Sequence, residues 1–180
     1  EGDDQFDAST GYCPGDPSSC VNLPSGVGEV FIDGGSGNDR VNAWGYASTT
    51  VRGGSGADYI GASSTRTAEI FGEDDDDNIN YSLNYPGSGE AIARIYGDAG
   101  NDNLSVSANV DVPMAGVGTA TLLVEGGEGN DTTTVRASTM PPRDNAPKVN
   151  VIVRGGGGSD RLDVQDTSAA MRGSRTPLGI

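Results

Sequence analysis

Three features of the sequence predict an all-β fold, a parallel β-solenoid whose glycine-aspartate turns stack along one edge. The first is a repeated unit. Ile32-Asp33-Gly34-Gly35-Ser36-Gly37-Asn38-Asp39-Arg40-Val41-Asn42 reads as apolar, any, Gly, Gly, any, Gly, any, Asp, any, apolar, and returns at 51–61, 70–80, 95–105, 124–134 and 153–163. Residues 1–7 open the chain with a truncated copy. A period of this length marks an array of identical supersecondary units. The second feature is alternation of apolar and polar residues on both sides of each unit, the period of a half-buried strand. The third is brevity: two short strands cannot bury an apolar face alone, so successive coils must stack on one another.

The elements follow in order. Phe6 and Ala8 share one face of a short strand after the half-motif. Residues 11–28 then interrupt the repeat as an excursion, which is tolerated because loop-closure entropy grows slowly with length. Glu29-Val30-Phe31-Ile32 leads back as a strand into the first complete motif. Asp39, Asp58 and Asp77 are 19 residues apart, and each coil here reads as motif turn, strand (Val41, Ala43; Ile60, Ala62), polar turn and returning strand (Thr49, Val51; Ala68, Ile70). Later coils lengthen, to 25 residues between Asp77 and Asp102 and 29 between Asp102, Asp131 and Asp160. Leu104, Val106, Ala108, Val110 and Val112 alternate, as do Ala120, Leu122, Val124 and Val149, Val151, Val153. Proline and glycine gather at 86–87, 113–118 and 141–147, which places chain reversals there. The solenoid should widen toward its C-terminal end. Met171-Arg172-Gly173-Ser174 matches the first half of a motif. Residues 171–180 therefore read either as a frayed tail or as part of a composite turn completed by the next molecule. The whole chain, 1–180, reads as one domain.

Composition narrows the function classes. Hydrophobic residues are 34% and aromatics 6%, too few for a large globular core, and the 29 glycines recur with a period, unlike a flexible linker. The net charge of −15, from 26 acids against 11 bases, argues against nucleic acid and against an anionic membrane surface, and for cations. Histidine, the commonest general base and transition-metal ligand, is absent. No apolar run is long enough to span a bilayer. Cys13 and Cys20, in a Pro/Gly/Ser loop, suit a local disulfide and hence an oxidising compartment. With no initiator Met and no leader, the sequence reads as a processed or trimmed form of something longer.

Chemistry explains the motif. Glycines let the backbone turn tightly with its carbonyls aimed inward, and the aspartate adds a hard anionic oxygen. Carbonyls plus carboxylates suit calcium, which takes six to eight oxygens in a flexible cage, better than magnesium or softer metals. In these residues the turns resemble the nonapeptide of RTX (hemolysin-type) calcium-binding repeats, G-G-x-G-x-D-x-U-x. Gly34-Gly35-Ser36-Gly37-Asn38-Asp39-Arg40-Val41-Asn42 and Gly155-Gly156-Gly157-Gly158-Ser159-Asp160-Arg161-Leu162-Asp163 carry it. The resemblance implies a β-roll with calcium between neighbouring turns, held by motif carbonyls and the aspartate. It nominates Asp4, Asp39, Asp58, Asp77, Asp102, Asp131 and Asp160, and the carbonyl-bearing Gly34, Ser36, Gly53, Ser55, Gly72, Asp74, Gly97, Ala99, Gly126, Glu128, Gly155 and Gly157. Seven turns offer about six gaps, hence about six calcium ions and about +12 of charge.

Two departures matter. Family nonapeptides usually follow one another directly and bind metal on both edges, whereas the spacing of 19 to 29 residues here leaves one metal-binding edge. The turns Gly72-Glu73-Asp74-Asp75-Asp76-Asp77 and Gly97-Asp98-Ala99-Gly100-Asn101-Asp102 deviate, Asp75 replacing a glycine at a left-handed position, and Thr133 replaces an apolar residue. Glu73 and Asp98 stay open as extra ligands or solvated charges. No nucleophile–base pairing is visible, so the chain reads as no enzyme. The expected function is a secreted, extracellular or cell-surface calcium-binding structural protein, a building block of a filament, matrix or surface layer that self-associates end to end. The alternative is a calcium-triggered folding or export module of a larger exported enzyme, toxin or adhesin.

Overall fold

In the computed structural model, residues 2–9, 28–86, 89–110, 118–139 and 148–166 are described. Among them every regular element is a strand: β1 (Gln5–Ser9), β2 (Glu29–Ser36), β3 (Arg40–Ser55), β4 (Tyr59–Asp74), β5 (Asn78–Tyr85), β6 (Gly89–Ala99), β7 (Asn103–Val110), β8 (Gly118–Glu128), β9 (Thr132–Thr139), β10 (Lys148–Gly157) and β11 (Arg161–Asp166). All pairings are parallel. One side runs β1, the first half of β3, the first half of β4, then β5, β7, β9 and β11. The other runs β2, the second half of β3, the second half of β4, then β6, β8 and β10. This is the predicted parallel β-solenoid, because each motif turn connects a strand of one side to a strand of the other.

The register stacks like on like. On the first side Phe6, Val41, Ile60, Ile79, Leu104, Thr133 and Leu162 form one inward column. On the second, Ile32, Val51, Ile70, Ile95, Val124 and Val153 form another. The alternating residues of the inner coils are buried, whereas Phe6, Ala8, Val149, Val151 and Val153 only partly cover the core. A parallel sheet needs this cover on its inner face because period-two alternation leaves only one face of each strand apolar.

The widening has a visible step. The column Ala43, Ala62, Tyr81, Val106 changes from small to large at Tyr81, the first coil longer than 19 residues. Tyr81 is 2% exposed, and its hydroxyl and that of Ser64 on the narrower coil are hydrogen-bonded at 2.6 Å. Pairing lengthens from Tyr59–Ser64 against β5 to Asn78–Tyr85 against β7.

One expectation changes in detail. The polar turns of the short coils are not separate loops: β3 and β4 run through the far edge as single strands of 16 residues each, with register shifts at Ala43/Tyr46 and Tyr46/Ser48. Irregularities of this kind bend a strand without ending it. The Cys13–Cys20 pairing, most of the 11–28 excursion, Val112, the reversals at 113–117 and 141–147, and the 171–180 segment lie outside the described residues. Among the described residues no helix is long and apolar enough to cross a membrane.

Candidate metal centre

Each motif turn begins at the end of one strand and leads into the next, so its six residues fall in the same place on every coil. The second and fourth positions take a left-handed backbone, as at Gly54 (φ 114) and Gly56 (φ 114). A side chain at Gly54 would collide with the Gly35 carbonyl of the coil before it, so glycine here serves close stacking as well as the turn. Asp75 holds the fourth position at φ 75, as its replacement of a glycine implied. Glu73 (φ 81) and Asp98 (φ 73) hold the second, which the sequence reading did not anticipate.

The motif aspartates form a ladder. The backbone N–H of Asp39 donates to Asp58 Oδ1 at 2.7 Å, Asp58 to Asp77 at 2.9 Å, Asp77 to Asp102 at 2.8 Å, Asp102 to Asp131 at 2.9 Å and Asp131 to Asp160 at 3.0 Å. Asp4 enters at the start, its N–H donating to Asp39 Oδ1 at 2.7 Å. All seven nominated aspartates therefore meet along one edge. Their second oxygens are left over: Oδ2 of Asp39, Asp58, Asp77, Asp102 and Asp131 is buried without a hydrogen-bond partner. Such an atom is costly unless something neutralises it.

What faces each Oδ2 is also an oxygen. A methyl placed on Gly34 would lie against both Asp39 Oδ2 and the Gly53 carbonyl oxygen. The same pair recurs at Gly53 (Asp58 Oδ2, Gly72 O), Gly72 (Asp77 Oδ2, Gly97 O), Gly97 (Asp102 Oδ2, Gly126 O) and Gly126 (Asp131 Oδ2, Gly155 O). A carboxylate and a carbonyl oxygen thus converge beside each first glycine, in a space that only glycine leaves open. Hard oxygen donors of both kinds are what calcium coordinates, so the residues fit the ion. The third-position carbonyls are placed differently. Ser36 O accepts from Gly2 N, Ser55 O from Gly37 N, Glu128 O from Gly100 N and Gly157 O from Gly129 N, at 2.8–2.9 Å. They hold the turns together, with a second lone pair left on each oxygen. Among the described residues no group of three or more Asp, Glu, Cys or His side chains forms a metal cluster, so a cation here must draw on backbone oxygens.

The electrostatics point the same way. Burial pushes the Asp77 carboxyl up to about 8 and the Asp102 carboxyl up to about 6, and raises those of Asp58 and Asp131. The inter-coil N–H donors oppose the rise, and neighbouring carboxylates add to it. Without a cation, the Asp77 carboxyl holds at neutral pH a proton that an ordinary aspartate loses.

A second ladder was not foreseen. Asn101 N and Nδ2 both donate to Asp76 Oδ1, Asn130 N and Nδ2 to Asn101 Oδ1, and Ser159 N to Asn130 Oδ1. Asn38 N likewise donates to Asp3 Oδ1, and Ala57 N to Asn38 Oδ1. The signal was legible: Asp or Asn stands at the fifth motif position in Asp3, Asn38, Asp76, Asn101 and Asn130. Glu73 is paired by Arg52 at 2.6 Å.

Comparison with known proteins agrees with this geometry. The family model of the RTX calcium-binding nonapeptide repeat (4 copies) matches at residues 26–45 and 94–113, so the chain carries such repeats. No curated protein and no solved structure matches it.

Proposed function

We propose that this chain, with its RTX calcium-binding repeats, is a non-enzymatic, exported structural protein whose fold is completed by calcium. The observation that carries the reading is the row of five buried, partnerless Oδ2 atoms, each beside a carbonyl oxygen of the next coil. Gly34, Gly53, Gly72, Gly97, Gly126 and Gly155 would supply carbonyls, and Asp4 to Asp160 the carboxylates, for about six ions in the gaps between seven turns. When bound, calcium supplies the positive charge that lets stacked carboxylates stay ionised in a buried row. The protein's own part is to stack the turns in register and keep Oδ1 engaged by N–H donors, so that Oδ2 stays aimed at the gap.

We propose further that coils of separate molecules stack end to end into a filament, matrix or surface layer. In support, Leu162 and Val164 of β11 are 46% and 54% exposed, whereas Leu104 and Val135, in the same two columns, are fully buried. The apolar columns stay open where the described coils end, and a further coil would cover them.

Calorimetry and circular dichroism of the whole chain test the first proposal: calcium is expected to bind and raise the β signal, and chelation to abolish it. A β signal indifferent to chelator, with no heat of binding, would overturn it. Electron microscopy and sedimentation in millimolar calcium test the second. Calcium-dependent filaments are expected, and a monomer that folds with calcium would replace that reading by a folding or export module of a larger protein.

A further inference from the structure

The six complete turns share a geometry but not a charge. Turns 34–39, 53–58 and 155–160 carry one acid each (Asp39, Asp58, Asp160), while 97–102 carries Asp98 and Asp102, and 126–131 carries Glu128 and Asp131. The turn Gly72-Glu73-Asp74-Asp75-Asp76-Asp77 carries five acids in succession. Two of these occupy left-handed positions, Glu73 at φ 81 and Asp75 at φ 75, where Gly54 and Gly56 stand on the coil before. Neither side chain is there for backbone reasons, since glycine meets the conformation without strain.

We propose that this turn is the rung at which cation binding begins, its surplus carboxylates giving the two gaps it borders the highest calcium affinity of the ladder. The proposal rests on the calcium reading above. The surplus acids flank a row of partnerless buried oxygens: Glu73 is half-buried and Asp74, Asp75 and Asp76 are exposed, in the same turn as the buried Asp77. Asp58, Asp77 and Asp102 are each 2–3% exposed with Oδ2 unbonded, and they are joined in one chain by Asp58 N–H to Asp77 Oδ1 and Asp77 N–H to Asp102 Oδ1. Only one guanidinium, Arg52 on Glu73, is paired against the five acids among the described residues. Affinity of an oxygen cage for calcium rises with the carboxylate charge around it, and concentrated like charge draws cations to the site that holds it. An ion beside Asp77 fixes the carboxylate that receives Asp58 N–H and the N–H that reaches Asp102, so the adjacent gaps are preformed for the next ions.

The test is calcium titration of the full chain by calorimetry and circular dichroism, for wild type and three double variants. Glu73→Gly with Asp75→Gly restores the glycines of the other turns, and Glu73→Gln with Asp75→Asn removes charge while keeping shape. Glu29→Gln with Glu90→Gln removes the same charge outside the turns. Both turn variants are expected to lose the tightest binding phase and to need ~10-fold more calcium to fold, with the Glu29/Glu90 variant unchanged. If the acids play no part toward calcium, the glycine variant relieves backbone strain and folds at the same or lower calcium, which overturns the proposal. An equal shift in the Glu29/Glu90 variant also overturns it, because bulk charge would then suffice. Wild type that binds no calcium would overturn the calcium reading itself.

Discussion

At the motif edge, one aspartate N–H meets the next coil's carboxylate at 2.7–3.0 Å whether the coils are 19, 25 or 29 residues apart. The far edge shows no such constancy. There β3 and β4 bend as unbroken strands, while in later coils one strand ends and the next begins, at Tyr85 and Gly89, at Val110 and Gly118, and at Thr139 and Lys148. The contrast separates two kinds of chain reversal. One is set by specific atoms that must meet their counterparts on the next coil, so its length and residues recur. The other has only to return the chain, and its length varies at small entropic cost.

The largest expected effect comes from placing a small change on each edge. Gly54→Ala puts a methyl into the Gly35 carbonyl at a left-handed position and should destabilise the calcium-saturated fold by about 3 kcal/mol or more. Four Gly-Ser residues inserted between Val110 and Gly118 should cost under ~1 kcal/mol. Denaturant melts of both, in saturating calcium, measure the difference, and equal losses would erase the distinction between the edges.

A change of pH in chelator should have an intermediate effect. The Asp77 and Asp102 carboxyls, raised to about 8 and about 6, bind protons more tightly folded than unfolded. Their contribution to stability is therefore fully present at acid pH, and is lost as pH rises through about 6 and then about 8. Circular dichroism without calcium should show most β signal at the acid end. A signal that grows with pH in chelator would mean that the motif edge does not control folding.

The smallest effect distinguishes two buried orphan atoms. Thr133 Oγ1 is partnerless in the core like the aspartate Oδ2 atoms, but it lies in the Leu104–Leu162 column rather than in the turn. Thr133→Val should stabilise by ~1 kcal/mol, since it removes an unsatisfied hydroxyl at nearly constant shape. Asp131→Asn should instead weaken calcium-dependent stability. Thermal melts in calcium that move in the same direction for both would show that the carboxylate is only another unsatisfied atom.

Much of this was legible in the residues. Six recurring glycine-aspartate turns and alternating columns such as Val41, Ile60, Ile79 and Leu104 specify a stacked parallel solenoid, because identical turns at any spacing can be superposed only by stacking. The resemblance to calcium-binding repeats named the seven aspartates that share the ladder. Glu73 and Asp98 at left-handed positions were not legible, since the glycines that mark such positions are absent there. Tyr81 in the core was missed for a similar reason: its burial depends on the narrower coil beneath it and on Ser64.

Spacing alone thus determined which residues share an edge and in what register, since a repeat carries its own local geometry. Which aspartate oxygen is engaged, which is left without a donor, and which carbonyl faces it were decided only in the tertiary structure. Those relations exist between coils 19 to 29 residues apart, and no single coil contains both partners.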